Sequence, residues 1–187
     1  MNTIDLIPLL NTCNATRANR QRIANIILEN PHLMTPLMEI AFYSDREIGS
    51  KASWIIEFVS KSDLSFLLNN IDFFVKNLYR LKADSSIRPM AKLCEILTLS
   101  YFLRREEKTK DALLNEHLEI MTTACFDWLV GNYKVASKVY SMTSLYYLGE
   151  KIPWIRPELK LVLEHDYSTG SAGYQAKARK ILGHLKE

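Results

Sequence analysis

Glycine and proline are scarce in this chain, with six of each in 187 residues. Average usage of the two together is roughly 12%, so the usual turn punctuation is about half present. A sandwich or barrel needs a turn every few residues, and a phosphate-cradling loop needs clustered glycines. Both are all but excluded. Cysteine is scarce too. Cys13, Cys94 and Cys125 are odd in number and far apart, and no C-x-x-C occurs. That pattern argues against a disulfide framework and against a zinc ribbon. Long apolar runs are missing. No stretch approaches the ~20 residues of a membrane span. The first ten residues hold no Lys or Arg and include Asp5, unlike a secretory leader. A cytoplasmic protein without membrane contact is the expectation. Charge of one sign is also lacking in bulk: the net charge is +3, too mild to identify a nucleic-acid partner.

What remains is helical periodicity. Hydrophobic residues make up 48% and charged residues 24%, enough for a real core. Helices are expected at about 14–29, 31–43, 45–60, 84–102, 115–130, 132–148, 153–166 and 171–186. A short one with Pro8 falls at 3–11, and a broken segment opened by Asp63 at 63–82. The polar stretch 103–111 reads as a solvated loop. No linker divides the chain, so one domain over 1–187 is expected.

Four of these helices share a spacing. They begin at Asp45, Asp84, Asn132 and Ser171, at intervals of 39, 48 and 39 residues. Three residues on lie Ile48, Ile87, Val135 and Tyr174. Seven on lie Ala52, Ala91, Val139 and Ala178. Ten on lie Ile55, Cys94, Met142 and Ile181. Offsets of three, seven and ten share one helix face, and a small residue at seven lets a neighbouring helix come close. Six on is a lysine in three of the four: Lys51, Lys138 and Lys177, with Met90 the exception. The longer interval holds the polar 103–111 stretch, as an insertion between repeats would.

A period of about 40 residues with two helices per unit marks an α-solenoid. The pattern resembles HEAT/armadillo-like repeats, in which the second helix opens with Asp and carries a basic residue six later. Asp45 with Lys51 matches fully. Asn132 with Lys138 and Ser171 with Lys177 match with a changed cap. The resemblance covers about residues 14–187. It implies an all-α, right-handed superhelix of four to five helix pairs whose capped helices line the concave side. The chain also resembles a group of short bacterial all-helical proteins, some of which carry the name adenylosuccinate lyase. Lyases of that superfamily have a mobile S-S-x-M-P-x-K-x-N loop. Here residues 85–92 read Ser-Ser-Ile-Arg-Pro-Met-Ala-Lys, without the Met-Pro order or the final Asn.

No catalytic constellation stands out, and no catalytic, metal or cofactor-binding residue is expected. His32, His117, His165 and His184 are dispersed, and no H-E-x-x-H or G-x-S-x-G occurs. Gly170 to Gly173 could form an anion nest, but a turn with an N-cap explains it more simply. DNA alkylpurine glycosylases built from HEAT-like repeats use tryptophans and an aspartate around a damaged base. Trp54, Trp128, Trp154 and Asp127 invite that comparison. Asp127 and Trp128, however, point about 100° apart on a helix and cannot share a pocket wall.

Charge is distributed unevenly. Helices 132–148 and 171–186 carry Lys134, Lys138, Lys177, Arg179, Lys180 and Lys186 and no acid. Their companions carry Glu116, Glu119, Asp127, Glu158, Glu164 and Asp166 against Arg156 and Lys160. Arg17, Arg20 and Arg22 form a further basic cluster. Eight residues after each cap lie Ser53, Lys92, Tyr140 and Arg179, opposite the buried stripe, with Trp54 and Glu57 nearby. Ser53, Trp54, Lys92, Tyr140 and Arg179 are the candidate concave-face residues. The expected function is a non-catalytic scaffold that holds a protein or peptide segment. Nucleic-acid binding of the glycosylase type is the first alternative, and the lyase activity the second.

Overall fold

A computed structural model gives the fold and describes residues 3–185. Lys186 therefore lies outside the described residues. Among those residues there are twelve α-helices and no strand, as the composition required. The chain forms two compact units, Met1–Met90 and Ala91–Glu187.

The first unit holds α1 (Thr3–Asn11), α2 (Arg17–Glu29), α3 (Met34–Tyr43), α4 (Arg46–Ser62), α5 (Ser65–Leu68) and α6 (Ile71–Lys76). It also takes the opening of α7 (Asp84–Thr98). Polar side chains set these ends. The Asp45 carboxylate accepts from the Glu47 and Ile48 amides at 2.9 and 3.0 Å, a cap of about 1 kcal/mol. The Asn30 side chain donates to the Ile26 carbonyl at 2.9 Å, and Pro31 follows, so α2 stops. Asn70 and Asn77 treat Phe66 and Phe73 the same way, at 2.9 and 2.8 Å. These side-chain bonds compete with the helical ladder, and residues 63–80 are broken into short pieces for that reason.

Both α2 and α3 pack on α4. Ala52, Ile55, Ile56 and Val59 of α4 are fully buried. At Gly49 an added Cβ would lie 3.1 Å from the Ala41 carbonyl oxygen, so the backbone of α3 runs directly against α4 there.

The second unit holds the rest of α7, then α8 (Glu107–Ala112), α9 (Asn115–Val130), α10 (Val135–Leu148), α11 (Ile155–Asp166) and α12 (Ala172–His184). Here α9, α11 and α12 all pack on α10. Met142, Leu145 and Leu148 fill its inner face, and Ser137, Ser141 and Ser144 are fully buried beside them. Cys94 and Cys125 are both buried and free, and burial, with Cys125 nearby, raises the Cys94 thiol pKa well above its usual value.

Nine of the twelve repeat positions are buried, and Ile48 and Val139 are half-buried. Ala52, Ala91 and Ala178 are fully enclosed, and Ile55, Cys94, Met142 and Ile181 are buried. Val135 departs from the pattern at 40% exposure. Asn132 does not cap α10: Lys134 holds the N-cap position, and the Tyr133 amide turns back to the Gly131 carbonyl at 3.0 Å. The helix starts three residues late, so Val135 sits in its open first turn. The 103–111 stretch also departs from expectation. After a π-helical turn at Leu99–Arg104, Arg105 adopts φ 56°, and α8 follows. Thr109 folds inward, bonds Ser100 at 2.6 Å and is fully buried, and Ser100 donates to Glu106 at 2.7 Å. The loop is thus an inserted helical turn anchored by hydroxyls.

If small residues at the seventh position govern helix approach, Ala52→Leu and Ala178→Leu should each cost about 1–3 kcal/mol by overpacking. Ala176→Leu on the exposed face of α12 should stay within about 0.5 kcal/mol. Urea unfolding compares them. Equal stability for all three would mean the helices do not meet closely at Ala52 and Ala178.

Candidate functional site

In the first unit the polar residues of α2, α4 and α7 converge on Trp54 and Glu57. These two are three residues apart and share a face of α4. The Trp54 indole N–H donates to the Ser85 carbonyl at 2.8 Å. One turn on, Arg88 donates to the Glu57 carboxylate at 2.7 Å. Ser85 and Arg88 are also three apart, so two parallel ties join α4 to α7. Lys61 takes the other oxygen of Glu57. Glu57 is only 2% exposed, and a buried carboxylate needs such partners. From α2, the Arg20 guanidinium lies 4.2 Å above the Trp54 ring. Burial and then the Arg88 charge lower the pKa of Arg20, against the opposing pull of Cys13 and Glu57.

The Ser-Ser segment is part of this frame. Ser85 and Ser86 lie in the first turn of α7 and both hydroxyls bond Ser50, at 2.6 and 3.0 Å. They form a packed helix start.

In the second unit a smaller cluster forms on α7, α10 and α12. Lys92 lies 4.7 Å above the Tyr140 ring and pairs with Glu95, which is itself buried. Lys177 is half-buried near both. Burial pushes its ammonium pKa down, opposed by Glu95 and reinforced by Lys180 and Lys92.

The candidate residues therefore divide. Lys92 and Tyr140 come together, and Trp54 pairs with Arg20. Ser53 presents nothing to a partner: it is fully buried, and its hydroxyl donates to the Gly49 carbonyl at 2.8 Å. The reason is its position, one residue from Ala52 and within the broad buried face of α4. Arg179 is exposed and donates to the Tyr167 hydroxyl at 3.0 Å, away from the Lys92 pair. Trp128 is core at 3% exposure, while Asp127 beside it is exposed, as helical geometry demanded. Trp154 is 56% exposed and stacks on Phe126. Arg88 and Glu95 went unread. Their signal was the repeated three-residue spacing, Trp54–Glu57 on one helix and Ser85–Arg88 on the next.

A cavity of about 360 Å³ lies at the start of α12, lined by Tyr133, Lys138, Asp166, Ser171 and Tyr174 among others. Ser171 caps the helix by accepting from the Tyr174 amide at 3.4 Å, the bland role expected of it. The Tyr174 ring packs so tightly on Gly170 that a Cβ there would lie 2.5 Å from it. Its hydroxyl is buried without a hydrogen-bond partner. Among the described residues no cluster of three His, Cys, Asp or Glu could hold a metal ion, and no helix is long and apolar enough to cross a membrane.

Two stability predictions follow from these groups. Arg88→Met should cost about 2–3 kcal/mol. That is below the 3–5 usual for orphaning a buried ion, because Lys61 still pairs with Glu57 and Arg88 is 32% exposed. Guanidinium unfolding measures it, and a loss under half that size would mean that Lys61 alone satisfies Glu57. For Tyr174, burial and nearby Asp166 push the phenol up to about 12 from 10.0. Between those values the unfolded chain releases a proton that the folded chain keeps, so stability falls as pH rises through this window. Tyr174→Phe should stabilise the fold by about 1 kcal/mol at neutral pH by removing an unpaired hydroxyl. Its advantage should widen at pH ~11. A variant less stable than wild type at both pH values would refute the assignment.

Comparison with known proteins agrees with this geometry. No curated protein and no solved structure matches the chain. A known family does match, the HEAT repeat domain, over residues 11–185. With nearly the whole chain covered, and with an all-helical fold, the protein belongs to the HEAT repeat domain family.

Proposed function

We infer that this HEAT repeat protein is a non-catalytic binding module that holds an acidic protein segment on the basic, aromatic faces of its helices. The observation that carries the reading is how its candidate groups are engaged. Each aromatic ring of the two clusters carries a cation on one face: Arg20 over Trp54, Lys92 over Tyr140. Each buried carboxylate is held by cations: Glu57 by Arg88 and Lys61, Glu95 by Lys92. A carboxylate whose oxygens are already engaged by cations is committed to structure. A ring capped by a guanidinium offers less to a flipped base. The cations that hold these positions keep exposed edges, and they suit carboxylates of a partner. Three unpaired thiols fit a cytoplasmic setting.

One observation favours nucleic acid as a second reading. α10 and α12, with Lys134 ahead of α10, carry Lys134, Lys138, Lys177, Arg179 and Lys180 and no acidic residue.

Fluorescence anisotropy with a labelled peptide of alternating Glu and Ser separates these readings. The peptide should bind, bind more weakly as salt rises, and lose roughly fivefold to tenfold on Lys92→Gln. Binding of a single-stranded or duplex oligonucleotide in place of the peptide would favour the second reading. Release of fumarate from adenylosuccinate by the purified protein would overturn the non-catalytic reading altogether.

A further inference from the structure

Arg20 is half-buried, yet among the described residues no carboxylate pairs with it. Its Nε donates to the Asn14 carbonyl at 3.3 Å, and its guanidinium plane rests on Trp54. Arg88 reaches the same face of α4 from the other side, through Glu57. The tie from the Trp54 indole to Ser85 fixes the ring between them. Arg20 lies over this ring, Arg88 lies one turn on at Glu57, and Lys61 takes the far oxygen of that carboxylate. Glu57 is enclosed, whereas Arg88 is 32% and Lys61 44% exposed. The surface of the cluster is therefore cationic, and its one anion lies beneath.

Two features suit this cluster to a carboxylate. A guanidinium presents parallel N–H groups that match a carboxylate's two oxygens. Contact with a fixed indole restrains the Arg20 guanidinium, so less side-chain freedom is lost when an anion arrives. The ring itself is not open for stacking a base, since Arg20 covers one face and its N–H is committed to Ser85.

On the reading of the previous section, we propose that Arg20 and Arg88 form a cradle, floored by Trp54, that anchors an Asp or Glu side chain of the acidic protein segment. That carboxylate offsets the mutual repulsion of the two guanidiniums. Burial, and then the Arg88 charge, depress the pKa of Arg20, with Cys13 and Glu57 opposing.

The test uses the whole protein and three labelled probes: the Glu-Ser peptide, the same peptide with Gln for Glu, and a single-stranded oligonucleotide. Arg20→Gln is the principal variant, because it orphans no buried carboxylate and should leave the unfolding midpoint near wild type. It should weaken the Glu peptide about tenfold. Arg20→Lys should recover only part of that loss, since an ammonium lacks the fork. The Gln peptide should bind weakly to every form, and Lys160→Gln on α11 should change nothing. If the wild type binds the Glu peptide and Arg20→Gln binds it equally well, the cradle is wrong while the binding reading stands. If the wild type binds no Glu peptide, both are wrong. A loss on Arg20→Gln seen for the oligonucleotide and not for the peptide overturns the proposal in favour of nucleic acid.

Discussion

Close approach of neighbouring helices to one central helix is the constraint on which each unit depends. In the first unit that helix is α4, and in the second it is α10. A helix packed on several sides cannot carry large side chains on all of them. Both accordingly hold small residues where neighbours meet them: Gly49, Ser50, Ala52 and Ser53 on α4, and Ser137, Ser141 and Ser144 on α10. Serine at such positions is chosen for size, and its hydroxyl becomes a liability. Ser50, Ser53 and Ser144 resolve it by donating to the carbonyl four residues back. Ser60, Ser137 and Ser141 do not, and their oxygens stay unpaired. Each unpaired hydroxyl costs about 1–3 kcal/mol. The fold tolerates that loss because a larger apolar residue at the same place would force the helices apart.

The same constraint determines where charge can go. With the inner faces of α4 and α10 filled, long polar side chains from flanking helices must lie over what remains. Arg20 from α2 and Arg88 from α7 do so at Trp54 and Glu57. Lys92 from α7 does so at Tyr140. The apolar stems cover ring surface and the charged heads stay near water, which lets a buried carboxylate coexist with a tight helix interface. Glu57 thus ties α4 to α7 through Arg88, while Glu95 pairs with Lys92 along its own helix.

Much of this was legible in the sequence. The caps at Asp45 and Ser171 were, because an acidic or hydroxyl residue ahead of an apolar period has one dominant use. The buried stripe was, because offsets of three, seven and ten follow from helix geometry alone. Asn132 misled, because an asparagine next to glycine serves a turn as readily as a cap, and here Gly131 and Tyr133 took it for the turn. The 103–111 segment misled because its charge pattern is that of a solvated loop. What folds it is Thr109 finding Ser100, a contact between two short hydroxyls nine residues apart. The candidate binding residues divide for a similar reason. An offset of eight places Lys92, Tyr140 and Arg179 on one nominal face, but it carries no information on which cation lies over which ring. Ser53 shows the limit of the offset most directly: on the widest buried helix face the eighth position is already inside.

The engaged state of these side chains bears on how a partner could be held. An aromatic ring already paired with a guanidinium, and a carboxylate already paired with two cations, have little capacity left for bond making. What such groups retain is position. The indole is locked by its bond to Ser85, and the locked indole orients Arg20. Orientation of a permanent charge costs conformational freedom, and here folding supplies it before any ligand arrives. On the proposed reading, a partner carboxylate meets a donor already placed over the indole.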